Sequence, residues 1–410
     1  MKRLLKKVIP LPARMQIMRG LNYISDRHAL SLPFPAALGP MKKNALLSYV
    51  TAPFKQGASS TLFTHAGVSK LMVRALHELG YAVDVIEWSN TVFTPQKEYQ
   101  LFIGHAGRNF ERITEKLTQS CPKIYFSTGT YWQEHNRAEK ARFDALEQRR
   151  GLRLPYDRWI NDSEERANEI ADGIICLGNQ VAKASYQKFP VVYCLNNATY
   201  PAGGGLLAKK DHESGRRNFL FLSSEGNVHK GLDLLLETFS SPEMQGVAEL
   251  TVCQKLRPDF HALYRRELEN TPNIHFVGHL DLQSALFQEI ALKCSFIIHP
   301  SCAEGQPGAV LDAMRYGLIP VLTRENHIDI ENCGFLIPDS IPRIAAEVHR
   351  LSHLPIEECQ HFAEKARETV LVDFSEERFF QNMKNSIQSI TALASVSSKN
   401  THDTFSEKPA

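Results

Sequence analysis

The run from Cys294 to Thr323, CSFIIHPSCAEGQPGAVLDAMRYGLIPVLT, narrows the choice of folds more than any other part of the chain. It reads as an apolar strand at Phe296–Ile298, a polar loop, a helix opening near Pro307, a stop at Gly317 and a second apolar strand. Proline in a first helical turn and glycine just past a last turn have the asymmetry expected of a helix with defined ends. A strand, a helix and a strand on short links form a βαβ unit, so the two strands run parallel. In open sheets of this kind ligands bind beyond the carboxyl ends of the strands, where Glu304 falls. The backbone N–H groups of Gln306 to Ala309 point the same way, at the positive end of the helix dipole. A carboxylate beside an anion site suits a ligand that carries both phosphate and hydroxyl groups. The plain alternative is an ordinary acidic helix start followed by a solvated aspartate.

The same alternation recurs along the chain. Ala45–Val50 reads as a strand, and the positions Val68, Leu71, Met72, Ala75, Leu76 and Leu79 mark one buried helical face, closed by Gly80 before the strand Val83–Ile86. Leu101–Ile103 and Ile124–Phe126 continue the strands, each running into a polar loop, and Gly173–Cys176 and Val191–Leu195 are further short ones. The segment Glu134–Arg150 is rich in both charge signs, which reads as a solvated helix laced by i,i+4 pairs, with an acceptor-binding surface as the second reading. Pro201–Arg217 has three consecutive glycines and no periodicity, so it reads as a linker. Beyond it, Phe219–Leu222, Glu249–Val252 and Ile274–Val277 restart the strand series, and Leu232, Leu235, Leu236 and Phe239 mark a helix face. Lys230 stands at the mouth of that helix, where its charge opposes the dipole. An anion lying between them would account for the placement.

Two of these segments together resemble retaining glycosyltransferases of the GT-B fold, family 4. Glu304 and Asp312 match that family's E-x7-E segment with aspartate in the second place, and Lys230-Gly231 matches its Lys-Gly. The resemblance runs from about Asn44 to Ile390 and is strongest at Val228–Phe239 and His299–Thr323. It implies an α/β architecture of two Rossmann-like domains facing each other across a cleft. Residues 1–40 would then be a basic N-terminal extension, 41–200 the acceptor domain, 201–217 the linker and 218–373 the donor-nucleotide domain. A terminal helix at 374–394 would cross back to the first domain, and a disordered tail would occupy 395–410.

The implied chemistry moves a sugar from a nucleotide-diphosphate sugar to an acceptor hydroxyl with retention, without a cofactor. Carried over residue by residue, Glu304 meets the donor sugar and Lys230 the diphosphate. Gly305, Gln306, Pro307 and Gly308 offer loop amides, Asp312 holds the ribose, and Gly278 packs the base. Gly57, in a glycine-bearing loop, and His105 are candidates for the cleft, against plain readings as a turn and a surface imidazole, and the nearby His135 also reads as a surface imidazole. Two family features are missing: Ser127 to Thr130 stand where many relatives have a histidine, and Glu225 stands where an arginine often precedes the lysine. There is no D-x-D, and nothing in the chain looks like a metal cage, so a metal is not expected at the diphosphate. Competing readings are a GT-B sugar-nucleotide epimerase, a catalytically silent sugar-nucleotide-binding protein and a dinucleotide-dependent oxidoreductase. The last lacks G-x-G-x-x-G between a strand and a helix.

Composition bears on location and partners. A length of 410 residues supports two domains, and a net charge of +2 gives no reason to invoke nucleic acid. Eight cysteines are scattered without a C-x-x-C pair, which fits a reducing cytoplasm. No apolar run reaches the ~18–20 residues that span a bilayer. Six basic residues precede the first acidic one, Asp26, interleaved with apolar ones. Residues 1–20 therefore read equally as a peripheral contact with anionic lipid at the inner face of the membrane and as a bland basic leader. The expected acceptor is a glycan or a lipid-linked molecule.

Overall fold

A computed structural model describes residues 27–41, 43–55, 64–199 and 210–403. The expectations placed on residues 1–20, on Gly57 and on the three linker glycines lie outside the described residues. The chain divides into two compact units, one of Met1–Phe126, Asp162–Ile174 and Met383–Ala410, the other of Ser127–Asn161 and Ile175–Asn382.

Among the described residues, seven strands precede position 200: β1 (Leu30–Ser31), β2 (Lys43–Tyr49), β3 (Tyr81–Glu87), β4 (Leu101–Gly104), β5 (Lys123–Ser127), β6 (Gly173–Leu177) and β7 (Val192–Leu195). Six follow it: β8 (Asn218–Leu222), β9 (Glu249–Cys253), β10 (Ile274–Phe276), β11 (Phe296–His299), β12 (Ile319–Leu322) and β13 (Phe335–Leu336). Five of the helices frame the two sheets and the loops between them: α1 (Thr64–Glu78), α2 (Trp132–Arg150), α3 (Leu232–Phe239), α4 (Gly308–Arg315) and α5 (Glu376–Asp403).

In the first unit, β2 lies parallel to β3 on one side and to β4 on the other, β4 is parallel to β5, and β1 closes the edge antiparallel to β3. The register sets Leu46 opposite Asp84 and Leu47 opposite Ile103. α1 buries Val68, Met72, Ala75 and Leu76, as its spacing demands. The end of the chain belongs to this unit from Met383 onward. Ile390 of α5 lies so close to Gly173 that an added Cβ would meet it at 2.8 Å, and Lys384 Nζ pairs with Glu78 at 3.2 Å. α5 continues to Asp403, past Ser395, where the aperiodic sequence gave no reason to expect a helix.

In the second unit the strand order is β10-β9-β8-β11-β12-β13, and every pair is parallel. In sequence terms that is 3-2-1-4-5-6, the doubly wound order in which the direction of winding reverses between the first and fourth strands. Those strands are β8 and β11, joined by the register Phe296 opposite Phe219. At this reversal the loops leaving the two strands diverge to opposite faces, opening a crevice at their carboxyl ends. Phe219, Phe221, Phe296 and Ile298 fill one side of the sheet, and Leu220, Leu222 and Ile297 fill the other.

The solvated reading of the charged helix holds on one face, where Arg137–Glu134 and Lys140–Asp144 pair in the open, and fails on the other. α2 is packed into the second unit: Phe143 and Leu146 join its core, and Glu139 and Arg142 are buried. Arg142 donates from Nη2 to the Pro300 carbonyl at 2.9 Å and from Nη1 to the Val228 carbonyl at 3.4 Å. Arg149 pairs with Asp233 at 2.5 Å and Glu237 at 3.0 Å, and Arg150 pairs with Glu237 at 3.0 Å and Glu267 at 2.7 Å. The charges are buried because their partners lie on α3 and beyond, more than eighty residues away in sequence, and a helical-spacing argument sees only neighbours three and four apart. Replacing Arg142 by alanine strands two loop carbonyls in the interior. Arg142→Ala is therefore expected to cost about 1–3 kcal/mol in denaturant unfolding, whereas a solvated helix would lose less than about 0.5 kcal/mol.

Candidate functional site

The two residues set apart by the sequence meet at the reversal between β8 and β11. Lys230 leaves the loop after β8 and Glu304 the loop after β11, and Lys230 Nζ stands 3.0 Å from Glu304 Oε1. Each side chain is about nine-tenths buried, with exposures of 11% and 12%. Burial by itself would raise the Glu304 carboxyl, but Lys230 foremost, with His299, His229 and Arg158, holds it well below the usual carboxylate range. The carboxylate is thus ionised throughout the physiological range, and the ammonium beside it is the cation it faces.

The two loops are strapped together from several sides. Asp157 Oδ2 accepts from the backbone N–H of Val228 at 2.7 Å and of His229 at 3.2 Å. His229 Nε2 reaches the Ala303 carbonyl at 2.5 Å, and Cys302 N–H donates to the His229 carbonyl at 3.0 Å. Gly231, at φ +80°, brings the β8 loop so near the β11 loop that a Cβ would collide with the Pro300 carbonyl oxygen. Arg142 gathers carbonyls from both loops. Beneath them Thr323 Oγ1 donates to the Ser301 carbonyl at 2.6 Å, and Asn326 Nδ2 donates to Thr323 Oγ1 at 2.9 Å.

The remaining glutamate-loop residues divide by role. Gly305 lies against the backbone of Thr128, where a Cβ would overlap the Thr128 carbonyl oxygen. Gln306 is buried with its side-chain amide committed: Nε2 donates to the His327 carbonyl at 2.7 Å and to Asn196 Oδ1 at 2.9 Å, while Oε1 accepts from Asn197 N–H at 2.6 Å. That amide anchors the 196–197 segment. Pro307 caps α4, its carbonyl accepting from Val310 at 3.0 Å and Leu311 at 3.2 Å, and Gly308 is the first helical residue. The helix begins one residue past the proline, as the sequence pattern implies. Asp312, half-buried on α4, is pushed up to about 7 by burial, against the pull of Arg315.

Gly278 and His105 are elsewhere. Gly278, at φ +89°, follows β10 at the sheet edge, two strands from β8. His105, in the first unit, follows β4 and is held at about 4 by burial, with Nδ1 on the Phe126 carbonyl at 2.9 Å and Tyr49 and Trp88 edge-on. Its plain reading as a surface imidazole does not fit that environment.

Four histidines surround the pair, three of them unmarked by the sequence and the fourth, His135, read there as a surface imidazole. His299 lies buried on Phe221; its Nδ1 meets Asn326 Oδ1 at 2.8 Å and its Nε2 has no protein partner. His327, in left-handed backbone at φ 55°, leaves Nδ1 buried and unpaired. Burial holds both at about 4, so each presents a neutral ring with an unsatisfied nitrogen. His229 adjoins Lys230, and His135 of α2 stacks on it with ring centroids 4.8 Å apart. Glu139, one helical turn from His135, completes a group with donor atoms within 4.8 Å of one another, the set that could hold a metal ion among the described residues. A lone histidine carries no spacing signal, and these converge from separate loops and one helix. The -HKG- and -FIIHP- contexts of His229 and His299 next to marked residues were the available hint.

Comparisons with known proteins bear on the segment that carries the Lys230–Glu304 pair and on the fold around it. Residues 216–353 match the family model described as glycosyl transferases group 1. Among solved structures, a sucrose-phosphate synthase from Thermosynechococcus elongatus is similar at 14% identity and TM-score 0.59, over 85% of this chain and 98% of that one. The fold is GT-B. A glycosyltransferase from Rickettsia africae shares it at 13% identity and TM-score 0.57, over 86% and 99% of the two chains. Anabaena HepE, solved with UDP and glucose, does so at 12% identity and TM-score 0.54, over 85% and 100%. No curated protein sequence matches the chain. Among the described residues no helix is long and apolar enough to cross a membrane.

Within this GT-B chain, Gly305 is the position with least room. Gly305→Ala is expected to lower the thermal unfolding midpoint by several degrees, because the Thr128 backbone must move to admit the methyl group. An unchanged midpoint would show that the two backbones do not pack against each other.

Proposed function

We propose that the protein is a glycosyltransferase that moves a sugar from a nucleotide-diphosphate sugar to an acceptor hydroxyl with retention of configuration. The observation that carries this reading is the Lys230–Glu304 pair, 3.0 Å apart at the switch point of the second sheet. The match of residues 216–353 to the group 1 glycosyl transferases falls on the same segment. Under this reading residues 218–373 serve the donor and 41–200 the acceptor, and 374–394 link back to the first domain.

Lys230 takes the donor diphosphate, and the loop amides at Gly305–Gly308 and the α4 N-terminus add to the positive field there. Such groups act before the reaction begins, so charge developing on the departing diphosphate meets dipoles already in place. The bond between the anomeric carbon and the diphosphate oxygen breaks, its electron pair leaves with the diphosphate, and the acceptor oxygen bonds to the carbon on the same face as its proton passes to the departing diphosphate oxygen. No side chain is asked to attack the sugar. Glu304 orients the donor sugar through its hydroxyls, and Asp312 holds the ribose. No metal is required at the diphosphate, because Lys230 supplies the cation. The acceptor is a glycan or a lipid-linked glycan precursor, reached in the cytoplasm, and residues 1–20 rest on anionic lipid at the inner face of the membrane.

The reading is tested by a thermal-shift panel of nucleotide sugars followed by transfer assays. One nucleotide sugar is expected to raise the unfolding temperature selectively. Lys230→Met and Glu304→Gln should each lower transfer from it by at least about 100-fold, the loss typical of removing one charged stabilising group. Both variants matching the parent in transfer would place the chemistry elsewhere.

A further inference from the structure

Beside the Lys230–Glu304 pair lies a second cluster to which the proposed transfer assigns no role. His135 and Glu139 occupy successive turns of α2, and His229 comes to them from the loop after β8. Each imidazole gives Nε2 to a backbone carbonyl, His135 to Arg158 at 2.9 Å and His229 to Ala303 at 2.5 Å. A carbonyl only accepts, so Nε2 carries the hydrogen and Nδ1 is the ligand atom. Burial keeps His135 neutral, while His229, pushed up to about 10 against burial by Cys302, Glu139 and Glu304, gives up its Nδ1 proton when a metal ion binds. Metal-binding histidines are held in this way, one nitrogen fixed by a carbonyl and the other presented to the ion. Glu139 has one occupied oxygen and one free: Oε1 accepts from the N–H groups of Asp157 at 2.9 Å and Arg158 at 2.6 Å, while Oε2 is buried without a partner. Cys302 Sγ lies 3.6 Å from His229 Nδ1.

We propose that His135 Nδ1, Glu139 Oε2, His229 Nδ1 and Cys302 Sγ form a zinc site that ties α2 to the two loops carrying Lys230 and Glu304. Two imidazoles, a carboxylate and a thiolate are a mixed set that suits zinc, and four protein ligands make a closed, structural site. With bonds of about 2.0–2.3 Å the ligand atoms of a tetrahedral zinc stand about 3.3–3.8 Å apart. One ligand atom each of His135, Glu139 and His229 lies within 4.8 Å of the others, and Cys302, outside that group, joins from 3.6 Å off His229 Nδ1, so the three draw together and the thiol moves in as the ion binds. The Glu139 carboxylate and the Cys302 thiolate, whose proton passes to solvent on binding, neutralise the divalent ion. Lys230, next to His229 in the chain, turns its charge to Glu304. The competing arrangement is a buried ion pair of protonated His229 with Glu139, whose atoms are 3.6 Å apart. Its ligands include neither Lys230 nor Glu304, and its test reads bound metal, so it stands or falls independently of sugar transfer.

The full chain, purified without a polyhistidine tag or chelator, should contain about one zinc per molecule by elemental analysis. The double variant His135→Ala, Glu139→Gln should contain less than about a tenth of that. Cobalt(II) added to zinc-stripped protein should give the visible bands of a tetrahedral ion and a near-ultraviolet sulfur-to-metal band. Cys302→Ser should lose the sulfur band and keep visible absorption, a readout that does not depend on the stability of the double variant. Parent protein that neither contains zinc nor binds added zinc or cobalt, or a double variant holding as much metal as the parent, overturns the proposal in favour of the ion pair.

Discussion

The site depends on one ammonium–carboxylate contact at the place where the second sheet reverses its winding. Two oppositely charged side chains that are nine-tenths out of water attract strongly, but each has given up its hydration to get there. Such a pair adds little net stability, and removing either partner alone is costly. Its use is positional. Lys230 is held at a fixed point beyond the β8 strand end with its charge only partly answered, since one carboxylate oxygen cannot satisfy three ammonium hydrogens. In the proposed reaction an incoming diphosphate finds a donor already in place, and Glu304 is left beside it to accept hydroxyls.

Rigid positioning needs support, and the support is polar. The loops after β8 and β11 would be free segments if only sheet packing held them. Asp157 caps the backbone of the first, Arg142 draws carbonyls of both toward α2, and Thr323 and Asn326 brace the second from below. Most of these contacts join side chain to backbone, so they fix chain position without consuming the functional groups of Lys230 and Glu304. The same economy applies to Gln306, which holds a neighbouring segment by its amide while its residue lies in the donor loop.

Much of this was legible in the sequence, for local reasons. The strand–loop–helix–strand pattern around Glu304 and the cation at the mouth of α3 follow from period, caps and dipole, which are set by neighbours along the chain. That the strands of the second sheet run parallel follows from alternation, whereas their order is set by packing that the sequence does not show. What escaped notice depends on contacts far apart in sequence. The charges of α2 look solvated because Asp233, Glu237 and Glu267 are read as separate surface residues until the fold brings them together. His135, Glu139 and His229 have no motif spacing, since α2 and the β8 loop are about ninety residues apart. His299 and His327 become neutral ring nitrogens only because the interior excludes water from them.

The most direct measurement is calorimetric titration of nucleoside diphosphates, UDP and GDP in turn, into the parent, Lys230→Met and Glu304→Gln proteins. If the lysine is an anion donor partly occupied by the glutamate, Lys230→Met should weaken binding of the preferred diphosphate by about 10–100-fold, the worth of one charged hydrogen bond. Glu304→Gln should tighten it, because the lysine loses its competing carboxylate in that contact. Equal affinity in all three proteins would contradict the account.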